Sequence, residues 1–233
     1  MACDISNGRI EQCKDSVSGL KAIYFANFDD LDSDNVVYDA TNGDVIDTWQ
    51  PAAPLSLYKY ELKSTTNSFT TAIESSRDNG TTFFTQTLVA ALKRQDFATH
   101  KNVKLLAYGR PRIIVRTMTD QFFLMGLDQG ADVSAGEISS GAALGDFNGY
   151  SLTFTAMEEL PANFIDVTTE AGLATAFADA GADIITIHPE ATKDLESSIL
   201  KIKKLNKKVG ISLNPETKIE VIINYLDKID LVL

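Results

Sequence analysis

Histidine and cysteine, two residue types that often carry acid–base, nucleophilic or metal chemistry, are scarce in this chain. The 233 residues include two histidines, His100 and His188, and two cysteines, Cys3 and Cys13. Two cysteines this close do not make a zinc site, which usually needs four ligands, and free thiols are favoured over a local disulfide. His100 stands among polar residues of a predicted helix, which favours a solvated position. Residue types and spacing alone therefore predict no catalytic residue and no metal ligand.

Two further stretches resemble ligand-binding loops without matching them. The acidic stretch from Asp29 to Asp39, read from Asp30 as a calcium loop, has Asn35 where glycine is needed and lacks a closing glutamate. The glycines between Gly126 and Gly149 fit neither a phosphate-binding loop nor a dinucleotide fingerprint, and they favour turns. Both stretches are therefore predicted to be loops.

Composition limits the classes of protein to which the chain can belong. It is 44% hydrophobic and 23% charged, as in ordinary globular proteins, with a formal net charge of -11. This acidity argues against a protein that coats nucleic acid. No apolar run approaches the ~18 residues of a membrane span, and the start of the chain does not resemble a secretory signal. We therefore expect no membrane partner.

The composition changes along the chain, which predicts two units of different origin. All 12 phenylalanines lie at or before Phe177 and every arginine lies at or before Arg116, whereas lysine and isoleucine dominate the end. The net charge is about -10 before Leu173 and -1 after it. We predict a β-rich unit over residues 1–165, a junction over 166–180 and a second unit over 181–233.

Alternating and β-branched runs predict a β-rich first unit. Residues 112–117 and 121–126 flank a short polar turn, which is typical of a hairpin. Residues 95–106 predict one helix, capped by Asp96, with Ala98, Val103, Leu105 and Leu106 on its apolar side. The pattern indicates an antiparallel β-sandwich or barrel with one helix. The other predicted strands cover residues 21–26, 55–62, 81–92 and 151–157.

The first unit, over about residues 1–170, also resembles tail tube or major tail proteins of tailed phages. This resemblance implies a virion structural protein that forms hexameric rings around a lumen through which DNA passes without sequence-specific contact. It implies other virion proteins as partners, a location in the virion or host cytoplasm, and no cofactor. An acidic lumen, which would repel phosphate, is our hypothesis. The resemblance is carried by Tyr58–Leu62, Glu74–Thr81, Lys104–Ala107, Phe122–Gly126, Ala143–Thr155 and Pro161–Ala162.

The second unit has the pattern of alternating strands and helices. Residues 183–188, 209–213 and 229–233 predict strands, and residues 192–206 and 216–227 predict helices with apolar positions at three- and four-residue steps. Short connections between these elements are typical of a parallel βαβαβ arrangement.

Residues 178–233 also resemble an interior fragment of ribulose-phosphate 3-epimerase, carried by Ala180–Ala191, Lys207–Thr217 and Ile229–Leu233. The resemblance implies part of a TIM barrel, namely its fourth and fifth strands and the start of its sixth. In that family two histidines and two aspartates bind a divalent metal, and the aspartates exchange a proton beside a carbonyl. His188 falls on a substrate-pocket position. The family's ligand motifs do not occur in this chain, and its phosphate loops follow later strands.

The leading interpretation is therefore a phage-type structural protein with a truncated, inactive epimerase-like segment, for which no cofactor is expected. The alternative is a cytoplasmic ribulose-phosphate 3-epimerase that uses Fe, Zn, Mn or Co to interconvert ribulose 5-phosphate and xylulose 5-phosphate. Three origins stay open for the chain: a joined or truncated reading frame, favoured by the stop inside a strand, a natural fusion, or a diverged epimerase. Three parallel strands with bare edges are expected to be marginal alone or to lean on the first unit.

Overall fold

The computed structural model describes residues 8–9, 14, 16–31, 33–49, 57–63, 66–167, 173, 184–189, 194–205, 207–213 and 217–232. The helices α1 and α2 span Phe97–Tyr108 and Leu195–Lys204. The strands are β1 (Leu20–Ala26), β2 (Val36–Tyr38), β3 (Val45–Trp49), β4 (Leu57–Glu61), β5 (Ser68–Ser76), β6 (Thr81–Lys93), β7 (Arg112–Thr117), β8 (Phe122–Met125), β9 (Asp132–Ser139), β10 (Gly149–Glu158), β11 (Asn163–Ile165), β12 (Ile184–Ile187), β13 (Lys208–Ile211) and β14 (Leu231–Val232).

The β-rich unit consists of two sheets. The larger has the order β2-β3-β11-β8-β7-β1-β4, and the smaller has the order β5-β6-β10-β9. Their strands pair antiparallel except β11 and β3, which run parallel. The predicted hairpin over residues 112–126 is confirmed as β7 and β8. Assignment of this unit to a sandwich or barrel class stays a prediction.

The larger sheet buries apolar side chains on both of its faces. On β7, Ile113 and Val115 join the core that contains Leu88 of β6 and Phe154 of β10, on the smaller sheet. Ile114 faces the other way, because successive side chains alternate across a strand. It joins a second core with other side chains of the larger sheet, among them Tyr24, Phe122 and Leu124. The larger sheet is therefore a central layer.

Local interactions explain where several elements begin and turn. The side chain of Asp96 accepts a hydrogen bond from the Thr99 N–H at 2.8 Å, which caps α1 as predicted. At the turn of the β7–β8 hairpin, Asp120 has a positive φ of 62°. Its carboxylate accepts hydrogen bonds from Lys21 at 2.7 Å and from the Arg116 Nε at 2.9 Å. These contacts offset the strain of the turn.

The C-terminal unit has a parallel sheet of order β12-β13-β14. The helix α2 begins after Asp194, whose side chain accepts from the Ser197 N–H at 3.0 Å; the predicted start at residue 192 lies outside the described residues. Ile199 and Ile202 of α2 are buried, as their spacing predicts. Assignment of this unit to a partial TIM barrel stays a prediction.

Several predicted elements differ from the structure. The predicted helix over residues 216–227 is instead two 3-10 stretches, Ile219–Val221 and Ile223–Lys228. The β-branched side chains there disfavour an α-helix. The spacing predicts that Ile219, Ile222, Ile223 and Leu226 face inward, but of these only Ile222 is buried. Strand β9 occupies part of the predicted glycine-rich loop, and β2 part of the predicted acidic loop. Leu105, predicted on the apolar side of α1, is 59% exposed.

The two units share one buried apolar cluster. Ile185, Val209 and Ile211 of the parallel sheet and Ile199 of α2 belong to the same cluster as Ile114 of the central layer. No strand pairing joins the units among the described residues, since the parallel sheet is separate. Side chains of the parallel sheet, α2 and the larger sheet thus belong to one buried cluster. This fits the second part of the expectation that the segment would be marginal alone or would lean on the first unit.

Neither α1 nor α2, nor any other described helix, is both long and apolar enough to cross a membrane.

Candidate functional site

His188 lies at the carboxyl end of β12, beside the carboxyl end of β13. The Ser212 N–H donates to the Ile187 carbonyl at 3.0 Å, so the two chain segments run side by side as they leave the sheet. His188 is half-buried and Pro189, which follows it, is buried. Ligands of parallel α/β sheets bind at this edge, because helix N-termini and loops converge there. The edge around His188 and Ser212 is therefore the candidate site, which we call the His188 edge.

A close approach of two strands positions this edge. Thr186 of β12 lies opposite Gly210 of β13. A Cβ atom on residue 210 would stand 2.4 Å from the Thr186 Oγ1, so only glycine fits without displacing the threonine. On the other face, Ile187 and Ile211 form a matched apolar pair. Gly210 thus sets the spacing and register that place His188 next to Ser212.

Two polar contacts hold the surrounding elements in place. Asp230 forms two hydrogen bonds to Val209 of β13. Its carboxylate accepts from the Val209 N–H at 2.8 Å, and its own N–H donates to the Val209 carbonyl at 2.8 Å. Lys228 donates to Glu196 of α2 at 2.8 Å, which raises the pKa of Lys228. This ion pair is exposed and therefore stabilises only weakly.

The described residues offer no metal centre. Within the described ranges no three His, Cys, Asp or Glu side chains are grouped so that they could hold an ion. In the acidic stretch, Asp39 instead accepts from the N–H groups of Thr41 and Asn42, which closes a turn. His100 is exposed on α1, as predicted. Cys3 and Cys13 lie outside the described residues, as does most of the junction.

A buried polar network, which the sequence did not reveal, lies in the β-rich unit. Glu158, only 5% exposed, accepts from the N–H groups of Asp128 and Gln129, and burial raises its pKa. Arg112, 3% exposed, donates to the carbonyl of Leu127 at 2.7 Å and to those of Phe28 and Leu31. These groups are engaged with loop backbone, so the network fixes the loop after β8. No local sequence pattern predicts this buried network.

An open groove of about 830 Å³ crosses the outer end of the smaller sheet. Its acids are Glu137 and Asp146, and Phe147 lines one side. Asp146 accepts from the N–H groups of Ala142 and Ala143, which lowers its pKa and shows that it shapes the loop. The groove therefore offers no constellation of catalytic groups.

Comparison with known proteins relates the C-terminal part of the chain to the ribulose-phosphate 3-epimerase family. The model of the ribulose-phosphate 3 epimerase family matches residues 155–233. The chain is 43% identical over 61 residues to ribulose-phosphate 3-epimerase of Rhodospirillum rubrum, covering 26% of this chain and 27% of that protein. The chain is 48% identical over 58 residues to the Bacillus subtilis enzyme, covering 25% of this chain and 27% of that enzyme. It is 40% identical over 57 residues to the Escherichia coli K12 enzyme, covering 24% of this chain and 25% of that enzyme.

These matches set the extent of the similarity. The chain spans about a quarter of the length of the curated relatives it matches. The C-terminal resemblance is confirmed as a similarity to this family. The family match begins inside β10, before the predicted unit boundary, although β10 pairs with β6 and β9 of the β-rich unit. It does not bear on the resemblance of the first unit to phage tail proteins, which stays a prediction.

Proposed function

We propose that residues 184–232 form a sugar-phosphate-binding segment of the ribulose-phosphate 3-epimerase type that is mounted on the β-rich unit and carries no epimerisation of its own. The observation that supports this proposal is the His188 edge, where two parallel strands end side by side within the stretch that the family match covers. The cytoplasmic location expected under the epimerase interpretation belongs to the same proposal.

The shared cluster supports the proposal that a barrel-type fragment stays folded without the rest of a barrel. A parallel strand pair buries apolar side chains on both faces, which in a barrel are covered by the other strands and helices. Here α2 and the outer face of the larger sheet contribute to the same buried cluster as Ile185 and Ile211. The β-rich unit thus takes the place of the remaining barrel as a packing surface.

The His188 edge supports binding more readily than proton transfer. A half-buried imidazole can donate a hydrogen bond to a phosphate or sugar oxygen, and its charged form would attract a phosphate dianion. Epimerisation in this family requires a metal held by several side chains. The residues described in the structure do not fit that metal, since no group of three ligands lies together among them. With one side chain as the recognised contact, we expect millimolar affinity, about 4 kcal/mol.

The test uses the fact that the chain has only two histidines. Imidazole signals of the full chain are followed by NMR during titration with ribulose 5-phosphate, and are assigned with His188→Gln and His100→Gln variants. We expect the His188 signals to shift and those of exposed His100 to stay in place. Inorganic phosphate in a parallel titration separates recognition of the phosphate from recognition of the sugar. Two unmoved signals, or equal movement of both, would refute binding at this edge.

A coupled assay tests the absence of epimerisation separately. The full chain is incubated with ribulose 5-phosphate and, in turn, Fe(II), Zn(II), Mn(II) and Co(II), and xylulose 5-phosphate is measured. We expect no product above the rate with metal alone. Conversion that His188→Gln abolishes would show that the chain is a complete epimerase and that ligands outside the described residues hold the metal.

The geometry of the smaller sheet favours a second candidate function, self-assembly of the β-rich unit. Its outermost strands, β5 and β9, have nine and eight residues, and no described strand pairs with their outer edges. Such edges are templates for pairing with another chain. The exposed face carries hydroxyl groups, such as the Ser134–Thr155 pair at 2.8 Å, and in the four strands Lys93 is the sole basic residue. An acidic, hydroxyl-rich wall suits the proposed passage of DNA through rings.

Charged substitutions test this pairing with a matched control. Ile73 of β5 and Ile138 of β9 are 71% and 47% exposed on the edge strands, and Met157, 60% exposed, lies on the inner strand β10. We expect rings or tubes of the full chain by negative-stain microscopy, their loss in Ile73→Lys and Ile138→Lys, and their retention in Met157→Lys. A wild-type monomer at every concentration would remove this candidate.

A further inference from the structure

The helix α1 presents an apolar stripe to solvent instead of to the core. Val103 is its buried residue, and the opposite face carries Phe97, Leu105 and Tyr108, which are 98%, 59% and 84% exposed. Phe97 and Tyr108 are eleven positions apart, about three turns, so they lie in line along the helix. An amphipathic helix normally buries such a stripe. Large aromatic side chains this exposed are typical of contact surfaces.

The same face is basic in an acidic protein. Lys101 and Lys104 lie between Phe97 and Tyr108 on the outer face, and neither forms an ion pair in the part of the chain that the structure describes. Residues 93–110 contain five basic residues and one acid, a formal charge of +4, whereas the whole chain carries -11. The stripe is therefore the place where an acidic surface would be attracted.

The most acidic segment of the chain itself supplies such a surface. Residues 29–47 contain seven aspartates and no basic residue. Asp44 and Asp47, beside and within β3, are exposed. Val37, on the neighbouring strand β2, is 47% exposed and adds an apolar contact. Opposite charges on two surfaces of one chain favour contact between copies.

We infer that the outer face of α1 docks on the acidic segment 29–47 of a second copy of this chain. Phe97 and Tyr108 supply the apolar contact, and Lys101 and Lys104 face the aspartates. The inference deepens the proposed self-assembly and names a second contact for it, apart from the sheet edges. One face of a helix about 18 Å long is smaller than the roughly 800 Å² per partner of a stable interface, so the contact alone is weak and salt-sensitive.

Sedimentation of the full chain over a concentration series, at low and high salt, measures this contact. Each substitution is also measured in a chain that carries Ile138→Lys, which is expected to block edge pairing. In that chain the helix contact is measured without the contribution of the sheet edges. We expect Lys101→Glu/Lys104→Glu to weaken self-association by about tenfold or more at low salt. The matched control is Lys203→Glu/Lys204→Glu, which changes two exposed lysines of α2. It should leave self-association unchanged.

A charge swap identifies the partner surface. Asp44→Lys/Asp47→Lys is expected to weaken association by itself, and mixing it with Lys101→Glu/Lys104→Glu should restore association, since the mixture regains one pair of native surfaces. A wild-type chain that stays monomeric, variants that sediment as wild type, or a mixture without recovery would overturn the inference. Binding of a single-stranded oligothymidine that requires Lys101 and Lys104, without self-association, would assign the stripe to nucleic acid instead.

Discussion

Two adjacent residues of β7 allow a direct test of the packing between the units. Ile113 and Ile114 are both fully buried, but Ile113 belongs to the core between the two antiparallel sheets and Ile114 to the cluster that contains the C-terminal unit. An isoleucine-to-alanine change removes three methylene-sized groups. At about 0.8 kcal/mol each they give about 2.4 kcal/mol, and the cavity raises the cost to a range of roughly 2–5 kcal/mol.

The two substitutions should differ in where this cost appears. The parallel sheet can open by itself, because side chains and not strand pairing join it to the larger sheet. If Ile114→Ala weakens docking by about 2 kcal/mol, the amides of β13 should exchange with deuterium roughly thirtyfold faster. Ile113→Ala should lower the stability of the β-rich unit by a similar amount, with exchange in β13 nearly unchanged.

Hydrogen exchange read by mass spectrometry measures both effects in the full chain. Peptides that contain Val209–Ile211 report on the parallel sheet, and peptides from β6 and β10 report on the core of the β-rich unit. Equal effects of the two substitutions on β13, or no effect of Ile114→Ala there, would refute the conclusion that the C-terminal unit rests on the outer face of the larger sheet.

Three further outcomes are expected. Gly210→Ala should destabilise the C-terminal unit by about 1–3 kcal/mol in denaturant unfolding, because the new Cβ meets Thr186, and Thr186→Ala should recover part of the loss. Burial raises the pKa of Glu158, so folding favours its protonated form. The unfolding free energy of wild type should therefore fall relative to that of Glu158→Gln as pH rises above the ordinary glutamate pKa of about 4.3. Equal dependence of the two unfolding free energies on pH would contradict this. Asp96→Ala should cost about 1 kcal/mol through loss of the α1 cap, whereas Asp96→Asn, which keeps a capping oxygen, should cost little.

Strands with clear apolar runs, such as β7 and β10, could be predicted from the sequence, whereas the more polar edge strands β5 and β9 could not. The sequence predicts β7 and β10 because Ile113–Val115 is a continuous apolar run and because Leu152, Phe154 and Ala156 alternate with polar residues. β5 and β9 are edge strands. β5 is rich in serine and threonine, and in β9 Gly136 sits where a Cβ would crowd Leu152. Their place in the sheet is set by pairing partners and not by local preference.

The site could be predicted only in part. His188 followed from resemblance, and its position at a strand end is where the βαβ pattern puts it. The shared cluster depends on which face of the larger sheet stays uncovered, a tertiary property that no local pattern encodes. The exposed side of α1 is not evident from composition alone: Leu105 stands near the apolar Val103 and Leu106 in the sequence, but it is two positions from Val103, about 200° around the helix, and faces away from the side that packs.

Limited proteolysis of the full chain with mass spectrometry tests the central claim, that the epimerase-type segment is folded against the β-rich unit through one core. We expect fragments that contain residues 184–232 to persist as long as those of the β-rich unit. After any cut between residues 167 and 184, the two pieces should still elute together from a sizing column. Early loss of the C-terminal unit that leaves an intact, soluble β-rich unit would contradict the claim.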